Sequence, residues 1–296
     1  MYNDITAIVL TYNEELHIER CITRLASLCQ KIYVIDSFST DSTCDIARRL
    51  GAVVLQNHYI NQAQQFQWAL DNCAVDTEWV LRMDADEYLS NELIEEIQQK
   101  IPSFEREITG CYLPLRVVFM EKMLKYGLPH RVRILRLWRK GCVFIEQRWM
   151  DERCVLTKGK SVNMNGSFID HNLKGLAEFT QKHNNYSNRE VLMELNKRYH
   201  FVDEKVSADL KSRNNQKGGY YRLPKFLRAF CYFSLRYFVF LGFLDGIRGL
   251  IWLTLQAYWY RFLIDAKIYE VETKLGKDAT SGDVKDFLRN MYGVKI

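Results

Sequence analysis

A chain of 296 residues, 48% of them hydrophobic, is long enough to bury one large α/β domain, with or without an appendage. Its formal net charge is only +5, and no basic tract with interleaved aromatic residues is present, which argues against a nucleic-acid partner. The eight cysteines form no CxxC pair and no zinc-spaced cluster with histidines, so a reduced, cytoplasmic setting is expected.

Short apolar runs alternate with amphipathic segments over residues 1–105, a pattern typical of a parallel sheet with crossover helices. Asn13 is predicted to cap a helix that runs to Leu28. The predicted fold class is α/β, with a mostly parallel sheet and helices on both faces. The predicted strands of this half are Ile5–Leu10, Ile32–Ile35, Ala52–Leu55 and Trp79–Met83.

Two carboxylates follow the last of these strands. Asp84 and Asp86 are two residues apart, so their side chains project to the same side and can share one hard cation. A Mg²⁺ or Mn²⁺ ion there would bridge diphosphate oxygens and neutralise charge as a sugar–phosphate bond breaks. The alternative is a solvated acidic turn before a helix that Ser90 begins, and so short a motif leaves both open.

Polar residues also follow the first two strands, at the edge where open α/β sheets bind ligands. Asp36 can accept a hydrogen bond from a uracil N–H, and Tyr12 can stack on a base. Each has a structural alternative, with Tyr12 as an ordinary loop aromatic and Asn13 and Asp41 as helix caps. The candidate nucleotide-sugar residues are Thr11, Tyr12, Asn13, Glu14, Asp36, Asp41 and Asp84.

Three segments, 7–15, 34–43 and 79–87, resemble in their order the signature of family 2 glycosyltransferases with the GT-A fold. Three ordered motifs are more specific than any one of them. The resemblance implies a UDP-type donor with uracil contacts near Thr11 and Asp36. It also implies that Asp84 and Asp86 hold a metal or the diphosphate, and that the anomeric carbon is inverted.

Inversion by single displacement needs a base that takes the proton of the acceptor hydroxyl. Asp151 and Glu152 are the candidates, and since neighbours on an extended segment point to opposite sides, only one can face the cleft. Asp151 is narrowly favoured, and a surface acidic pair is the alternative. His171 is a candidate metal ligand or proton donor, with a structural histidine bonded to Asp170 as its alternative.

Residues 106–215 are predicted to form an acceptor-side half with antiparallel strands at Gly110–Phe119 and His130–Trp138. Arg131 and Arg136 would there bind an acceptor that carries phosphates, because a guanidinium group matches phosphate oxygens. The alternative is a solvated edge strand whose charges prevent aggregation.

A domain boundary is placed near residue 215, so that 1–215 form the transferase domain and 216–296 a helical appendage. Residues 223–264 are rich in aromatic residues but are interrupted by arginines, and no run of about 18 uncharged apolar residues occurs. The pattern favours amphipathic helices that lie in a membrane interface, with arginines at headgroup depth. A helical hairpin packed on the enzyme core is the alternative.

Segments Trp149–Glu152, Lys182–Tyr186, Phe243–Gly246 and Trp259–Ile268 resemble the bacterial O-antigen, capsule and lipopolysaccharide branch of the family. That branch implies hexose transfer to a saccharide on a polyprenyl diphosphate, by a peripheral enzyme on the inner face of the cytoplasmic membrane. The absence of an export signal agrees with this location. A nucleotidyltransferase and a non-catalytic membrane-surface scaffold remain as alternatives, although the first usually carries a glycine-rich loop that residues 11–16 lack.

Overall fold

The computed structural model describes residues 4–127, 132–146, 153–200, 220, 222–276 and 278–294. They divide into two compact units, each considered by itself: 4–124 with 132–145 and 153–173, and 125–127 with 146 and the described residues from 174 onward. The main boundary therefore lies after residue 173 rather than near 215. The reason is that the helix Leu176–Tyr199 packs with the C-terminal helices.

The first unit is built on a mixed sheet of ten described strands in the order β3-β2-β1-β4-β8-β6-β12-β5, with β7 and β11 also paired to β6. The strands β9 and β10 form a separate ribbon. The strands are β1 Ile5–Thr11, β2 Lys31–Asp36, β3 Val53–Gln56, β4 Trp79–Asp84, β5 Glu87–Leu89, β6 Ile108–Phe119, β7 Lys122–Leu124, β8 Arg133–Arg139, β9 Val143–Ile145, β10 Cys154–Leu156, β11 Lys160–Asn163 and β12 Phe168–His171.

The strands β1 to β4 are parallel to one another, and the first antiparallel pairing in the order of the sheet is that of β4 with β8. The predicted antiparallel half is therefore only partly correct, because β11 and β12 pair parallel with β6. The helices of this unit are α1 Ile18–Ala26, α2 Thr43–Arg49, α3 Gln62–Asn72 and α4 Asn91–Lys100.

Helices cover both faces of this sheet, as predicted, because successive side chains of a strand point to opposite faces. Ala7 and Val9 of β1 share a core with Ile22 of α1. Ile8, between them, belongs instead to the core that contains Phe66 of α3. The α/β fold class predicted from sequence is confirmed.

The second unit is helical, which confirms the predicted C-terminal helices. Its helices are α5 Leu176–Tyr199, α6 Leu227–Ser234, α7 Gly246–Leu253, α8 Tyr260–Leu275 and α9 Ser281–Tyr292. Residues 235–239 and 254–259 continue α6 and α7 as π-helical turns. Within the described residues no single helix is long and apolar enough to cross a membrane. Leu227–Val239 and Gly242–Leu275, bent by 71°, meet the length and composition criteria only together.

A buried ion pair joins α6 to α8 in this unit. Arg228 and Asp265 are 5% and 0% exposed, and the guanidinium donates from both Nε and Nη2 to the carboxylate. The carboxylate also accepts from the backbone N–H of Phe226, at 2.7 Å. Because these bonds replace water around both charges, loss of one partner leaves the other charge buried.

Replacing Asp265 by alanine should therefore lower the free energy of unfolding by about 3 to 5 kcal/mol, measured by urea denaturation. Asp286→Ala is the matched control, because the Asp286–Arg289 pair is exposed and should contribute less than about 0.5 kcal/mol. Equal effects of the two substitutions would contradict a desolvated Arg228–Asp265 pair.

Candidate active site

Three strands of the first unit end in one row. In the register of the parallel sheet, Thr11 of β1 lies opposite Asp36 of β2, and Leu10 lies opposite Asp84 of β4. All three sequence motifs therefore meet at the carboxyl edge of the sheet. This edge is where open α/β sheets bind their ligands.

Asn13 ties the first motif to the second. Its backbone N–H donates to Ser39 Oγ at 2.8 Å, and its Oδ1 accepts from the backbone N–H of Thr40 at 2.8 Å. Its φ of 52° is left-handed, a conformation that asparagine tolerates better than most residues. The prediction that Asn13 caps α1 is wrong, because α1 begins only at Ile18, after His17.

The carboxylate of Asp36 is buried and already engaged by its own loop. It accepts from the backbone N–H and the hydroxyl of Ser39, and from Gln56 Nε2 at 2.9 Å. Burial raises the pKa of Asp36, but these hydrogen bonds outweigh it and the net pKa lies below its ordinary value. Asp36 is therefore ionised at neutral pH, and its carboxylate stabilises the loop that contains the second motif.

Asp41 plays a comparable local part at the start of α2. Its Oδ1 accepts from the backbone N–H of Thr43 at 3.0 Å and its Oδ2 from that of Glu15 at 3.2 Å. Asp41 therefore holds the loop before α2, whereas the cap position that the structural alternative gave it belongs to Ser42. Tyr12, by contrast, is 56% exposed.

Glu14 lies on the inner side of the first loop and contacts the buried His17. Glu14 Oε2 lies 2.5 Å from His17 Nδ1, while His17 Nε2 accepts from the backbone N–H of Leu173 at 2.7 Å. The second bond assigns the ring proton to Nδ1. Glu14 therefore orients a histidine that fixes the end of β12.

The two motif carboxylates at the end of β4 each hold a side-chain amide. Asp84 Oδ1 accepts from Gln62 Nε2 at 3.2 Å. Asp86 Oδ2 accepts from Asn172 Nδ2 at 3.1 Å. Asn172 directly follows β12, so the loop after β4 is held by residues from two other parts of the unit.

A buried ion pair lies beside this loop. Arg136 Nη2 donates to Glu87 Oε1 at 2.6 Å and lies 3.6 Å from Asp84 Oδ2. Glu87 Oε2 accepts from the backbone N–H of Asp84 at 2.9 Å. Arg136 is 6% exposed, and its guanidinium also stacks over Phe168. The predicted contact of Arg136 with acceptor phosphates is therefore corrected, since this side chain faces the interior.

Negative charge is concentrated at this loop. Burial raises the pKa of Glu87, Arg136 opposes that rise, and the charges of Asp84 and Asp86 add to it. Burial likewise raises the pKa of the Cys21 thiol, and the same three carboxylates raise it further. A cation bound at this loop would relieve the repulsion among these three carboxylates.

His171 lies at the end of β12, and its backbone N–H donates to the carbonyl of Asp86 at 3.1 Å. Arg20 of α1 clamps both residues. Its Nη2 donates to the carbonyls of Asp86 and His171 at 3.2 and 2.6 Å, and its Nη1 lies 3.0 Å from His171 Nδ1. Burial, and then the charge of Arg20, lowers the pKa of His171. The imidazole is thus neutral at pH 7.

The donor set fits a hard cation in part. Asp84 and Asp86 supply carboxylate oxygens, the ligands that Mg²⁺ and Mn²⁺ prefer. Among the described residues no group of three ligating side chains comes together, so His171 is not placed with them as a third ligand. The two carboxylates would leave most coordination positions to water or phosphate oxygens, which is common for Mg²⁺.

Three of the predicted site residues, Arg131, Asp151 and Glu152, lie outside the described residues. Four others were not predicted: Arg20, Gln62, Glu87 and Asn172. Glu87 directly follows the acidic motif and Asn172 directly follows His171, so adjacency alone could have suggested them. Nothing in the local sequence marks Arg20 or Gln62, because both reach the site across the fold.

Comparison with known proteins identifies the family. Residues 6–159, more than half of the chain, match the family model described as glycosyl transferase family 2. The chain therefore belongs to glycosyl transferase family 2, and the protein is a glycosyltransferase enzyme. This membership agrees with the sheet described above, and the GT-A fold that the resemblance implied is confirmed. It sets aside the nucleotidyltransferase alternative.

Similar proteins are found in Rickettsia. An uncharacterized glycosyltransferase of Rickettsia typhi is 28% identical over 277 residues, which cover 91% of this chain and 88% of that protein. One from Rickettsia prowazekii is 28% identical over 284 residues, covering 94% and 90%. One from Rickettsia conorii is 37% identical over 103 residues, covering 35% and 36%.

Solved structures overlap with a smaller part of the chain. Glucosyl-3-phosphoglycerate synthase from Mycobacterium tuberculosis, in complex with Mn²⁺, UDP and glucosyl-3-phosphoglycerate, is 21% identical, with a TM-score of 0.32. Mannosyl-3-phosphoglycerate synthase from Rubrobacter xylanophilus is 18% identical, with a TM-score of 0.33. Each match covers 38% of this chain and only 44% or 40% of the solved chain, so neither transfers a substrate to this protein.

Substituting Arg20 by alanine should raise the pKa of His171, because a nearby positive charge that disfavours the imidazolium is removed. The measurement is an NMR titration of the histidine ring nitrogens, with His171→Gln used to assign the signal. Arg24→Ala is the control, since Arg24 lies one turn further along α1 and bonds Asn91 instead. A His171 titration that is the same in both variants would contradict the clamp.

Proposed function

We propose that this glycosyltransferase transfers a hexose from a UDP-sugar, with inversion and with the help of Mg²⁺ or Mn²⁺, to a lipid-linked saccharide. The observation that carries the proposal is the alignment of Thr11, Asp36 and Asp84 at the ends of three adjacent parallel strands. A nucleotide diphosphate needs base, ribose and phosphate contacts along one edge, and these strand ends provide three positions for them.

The side chains of Thr11 and Tyr12 support the proposed contacts with the donor nucleotide. Thr11 Oγ1 is buried and has no hydrogen-bond partner among the described residues, although buried hydroxyls are normally bonded. It lies opposite Asp36 in the sheet, and the exposed ring of Tyr12 follows it directly. A uracil ring placed here would offer polar atoms to Thr11 and a flat face to Tyr12.

The leaving diphosphate is assigned to the loop after β4. Asp84 and Asp86 would hold the cation, which supplies charge neutralisation at the departing phosphate oxygens when bound. Glu87 accepts from the backbone N–H of Asp84 and is itself held by Arg136. Arg20 donates to the backbone carbonyl of Asp86, and Asn172 donates to its carboxylate. The motif is thus preorganised, which lowers the cost of binding a compact, highly charged group.

The acceptor is proposed from the resemblance to surface-polysaccharide enzymes and from the surface of the second unit. A polyprenyl diphosphate lies in a bilayer, so its enzyme must work at the inner face of the cytoplasmic membrane. The many exposed apolar residues between 223 and 247 suit that location. O-antigen, capsule and lipopolysaccharide precursors are the acceptor class. Arg131 remains the proposed contact for acceptor phosphates.

Incubation with a panel of sugar nucleotides, with and without a polyprenyl-diphosphate saccharide, tests the proposal. UDP release that requires one UDP-hexose and is stimulated by the acceptor is expected. Release from a nucleotide other than a UDP-sugar would overturn the donor assignment, and equal transfer to a soluble phosphorylated acid would overturn the acceptor assignment.

Removal of the metal should abolish transfer. Asp86→Ala, or EDTA with the unaltered protein, is expected to lower turnover by roughly a hundredfold or more, since stabilisation of the leaving diphosphate is lost. Asp71→Ala, an exposed acid on α3, is the control and should keep full activity. Full turnover in EDTA would refute the metal role, and a circular dichroism spectrum checks that Asp86→Ala remains folded.

The base is tested by amide substitutions that keep the size of the side chain. Asp151→Asn cannot accept the acceptor's proton, so turnover should fall by roughly a hundredfold while donor affinity, measured by calorimetry with UDP, is unchanged. If Glu152 is the base, Glu152→Gln will show this pattern instead. Near-normal turnover of both variants would place the base elsewhere, with Asp170 as the next residue to substitute.

A further inference from the structure

The α6–α7 region of the second unit has its charges inside and its apolar side chains outside. Residues 226–256 contain only four charged side chains, and three of them are almost fully buried: Arg228, Arg236 and Asp245. Large apolar side chains of the same stretch point outward with 42–67% of their surface exposed, namely Leu227, Phe230, Leu235, Phe238, Val239, Leu241, Phe243, Leu244 and Ile247. A surface facing water has the opposite arrangement.

The most exposed of these side chains lie around a sharp bend. The helical arm Leu227–Val239 turns by 71° into the arm that begins at Gly242. Val239 and Ile247, on either side of the bend, are 66% and 67% exposed, the largest values among the exposed hydrophobic residues described. The bend is therefore an apolar tip.

The buried charged side chains at the tip are bonded within the unit, although Arg236 Nη2 has no hydrogen-bond partner among the described residues. Asp245 accepts from the backbone N–H groups of Lys125 and Tyr126, at 3.0 and 2.8 Å. Arg236 Nε donates to the carbonyl of Gly127, and its guanidinium lies over the ring of Trp252. The charged side chains of the bend are thus engaged mainly within the unit and not at its apolar surface, which favours entry into hydrocarbon.

The close packing of this bend depends on small residues. A Cβ added to Gly242 would lie 2.3 Å from Leu253 Cδ1, and one added to Gly249 would lie 2.6 Å from the carbonyl oxygen of Gly242. Backbones that approach this closely are typical of helices packed in lipid, where small residues replace large ones at contacts.

We propose that the bend is a re-entrant membrane anchor that inserts residues 238–247 into one leaflet of the bilayer and returns to the same side. The thirteen residues of Leu227–Val239 span roughly 20 Å at 1.5 Å per residue. That length passes through one leaflet, about half of the ~30 Å hydrocarbon core, but does not cross both. The exposed Arg222, before the first arm, would then lie at the headgroups, whereas Arg248 directly follows the inserted residues and would extend its long side chain toward them.

A bilayer fits this surface better than the other occupants. Residues 201–219, which precede this region in the chain, are rich in charged and amide side chains. A second copy of the chain would normally meet a mixed surface with a polar rim, whereas all but one of the charges in residues 226–256 are turned inward. The anchor deepens the proposed function, since it places this enzyme where a lipid-linked acceptor is found.

Depth-dependent quenching tests the anchor in the full chain. An environment-sensitive fluorophore is attached at Val239→Cys, and at Met291→Cys as the control, because Met291 is 55% exposed on α9 of the same unit. Cys231, an exposed thiol, is first replaced by serine in both. With vesicles of phosphatidylethanolamine and phosphatidylglycerol, nitroxides near the chain ends should quench the label at 239 more than nitroxides near the headgroups do. The label at 291 should be quenched by neither.

Charge substitution is the second measurement. The double variant Val239→Glu, Ile247→Glu should bind the same vesicles at least roughly tenfold more weakly, while Met291→Glu binds normally. Stronger shallow than deep quenching at residue 239 would overturn insertion in favour of helices that lie on the surface. Unchanged vesicle binding of the double variant would overturn it as well. A lipid-free dimer in light scattering that the double variant abolishes would instead assign the surface to a second copy.

UDP affinity, measured by calorimetry on the same variants, separates this inference from the proposed function. The double variant should bind UDP as the unaltered chain does. Vesicle insertion without any UDP affinity would support the membrane anchor and overturn the UDP-sugar donor. UDP affinity without insertion would support the UDP-sugar donor and overturn the anchor.

Discussion

The Glu87–Arg136 ion pair is the interaction on which the acidic loop depends. Glu87 accepts from the backbone N–H of Asp84 and from Arg136, so the strand end and the neighbouring strand are joined through one buried carboxylate. Such a pair contributes little net stability, because removing two charges from water costs about as much as their attraction returns. The ion pair instead fixes the position of the Asp84 backbone relative to β8. With Arg136 absent, the buried Glu87 would lose the charge that most opposes its burial and its repulsion from Asp84 and Asp86.

The balance of charge at the loop after β4 also bears on how it would bind a divalent cation. Three carboxylates crowd the end of β4, and the guanidinium of Arg136 lies close to two of them. The carboxylate of Asp86 accepts from the neutral amide of Asn172, and its carbonyl accepts from Arg20. Carboxylates crowded in this way favour a divalent ion that arrives with a diphosphate, because the ion would relieve repulsion within the protein and within the ligand.

The extent of sequence prediction follows from how local each feature is. The strands before Thr11, Asp36 and Asp84 could be predicted because apolar runs and the polar residues after them are contiguous in the chain. Asn13 was misassigned as a cap, since its bonds to Ser39 and Thr40 come from a loop 26 residues away. Arg136 has the alternating neighbours of an exposed strand, and the carboxylates of Glu87 and Asp84, far earlier in the chain, hold it in the interior. The boundary near 215 was placed on composition, whereas packing of α5 with α8 decides it.

The arginines of the second unit also could not be placed from the local sequence. Sequence reasoning assigned them to lipid headgroups, because an arginine among aromatic residues usually extends its charge toward water. Arg228 and Arg236 instead find acceptors inside the unit, one in Asp265 and one in the carbonyl of Gly127. Once those charges are satisfied internally, the outer surface no longer needs water. An alternation of charged and apolar residues that predicts an amphipathic helix can thus equally specify a helix with its polar side inward. Only the position of the acceptors, far away in the sequence, distinguishes the two.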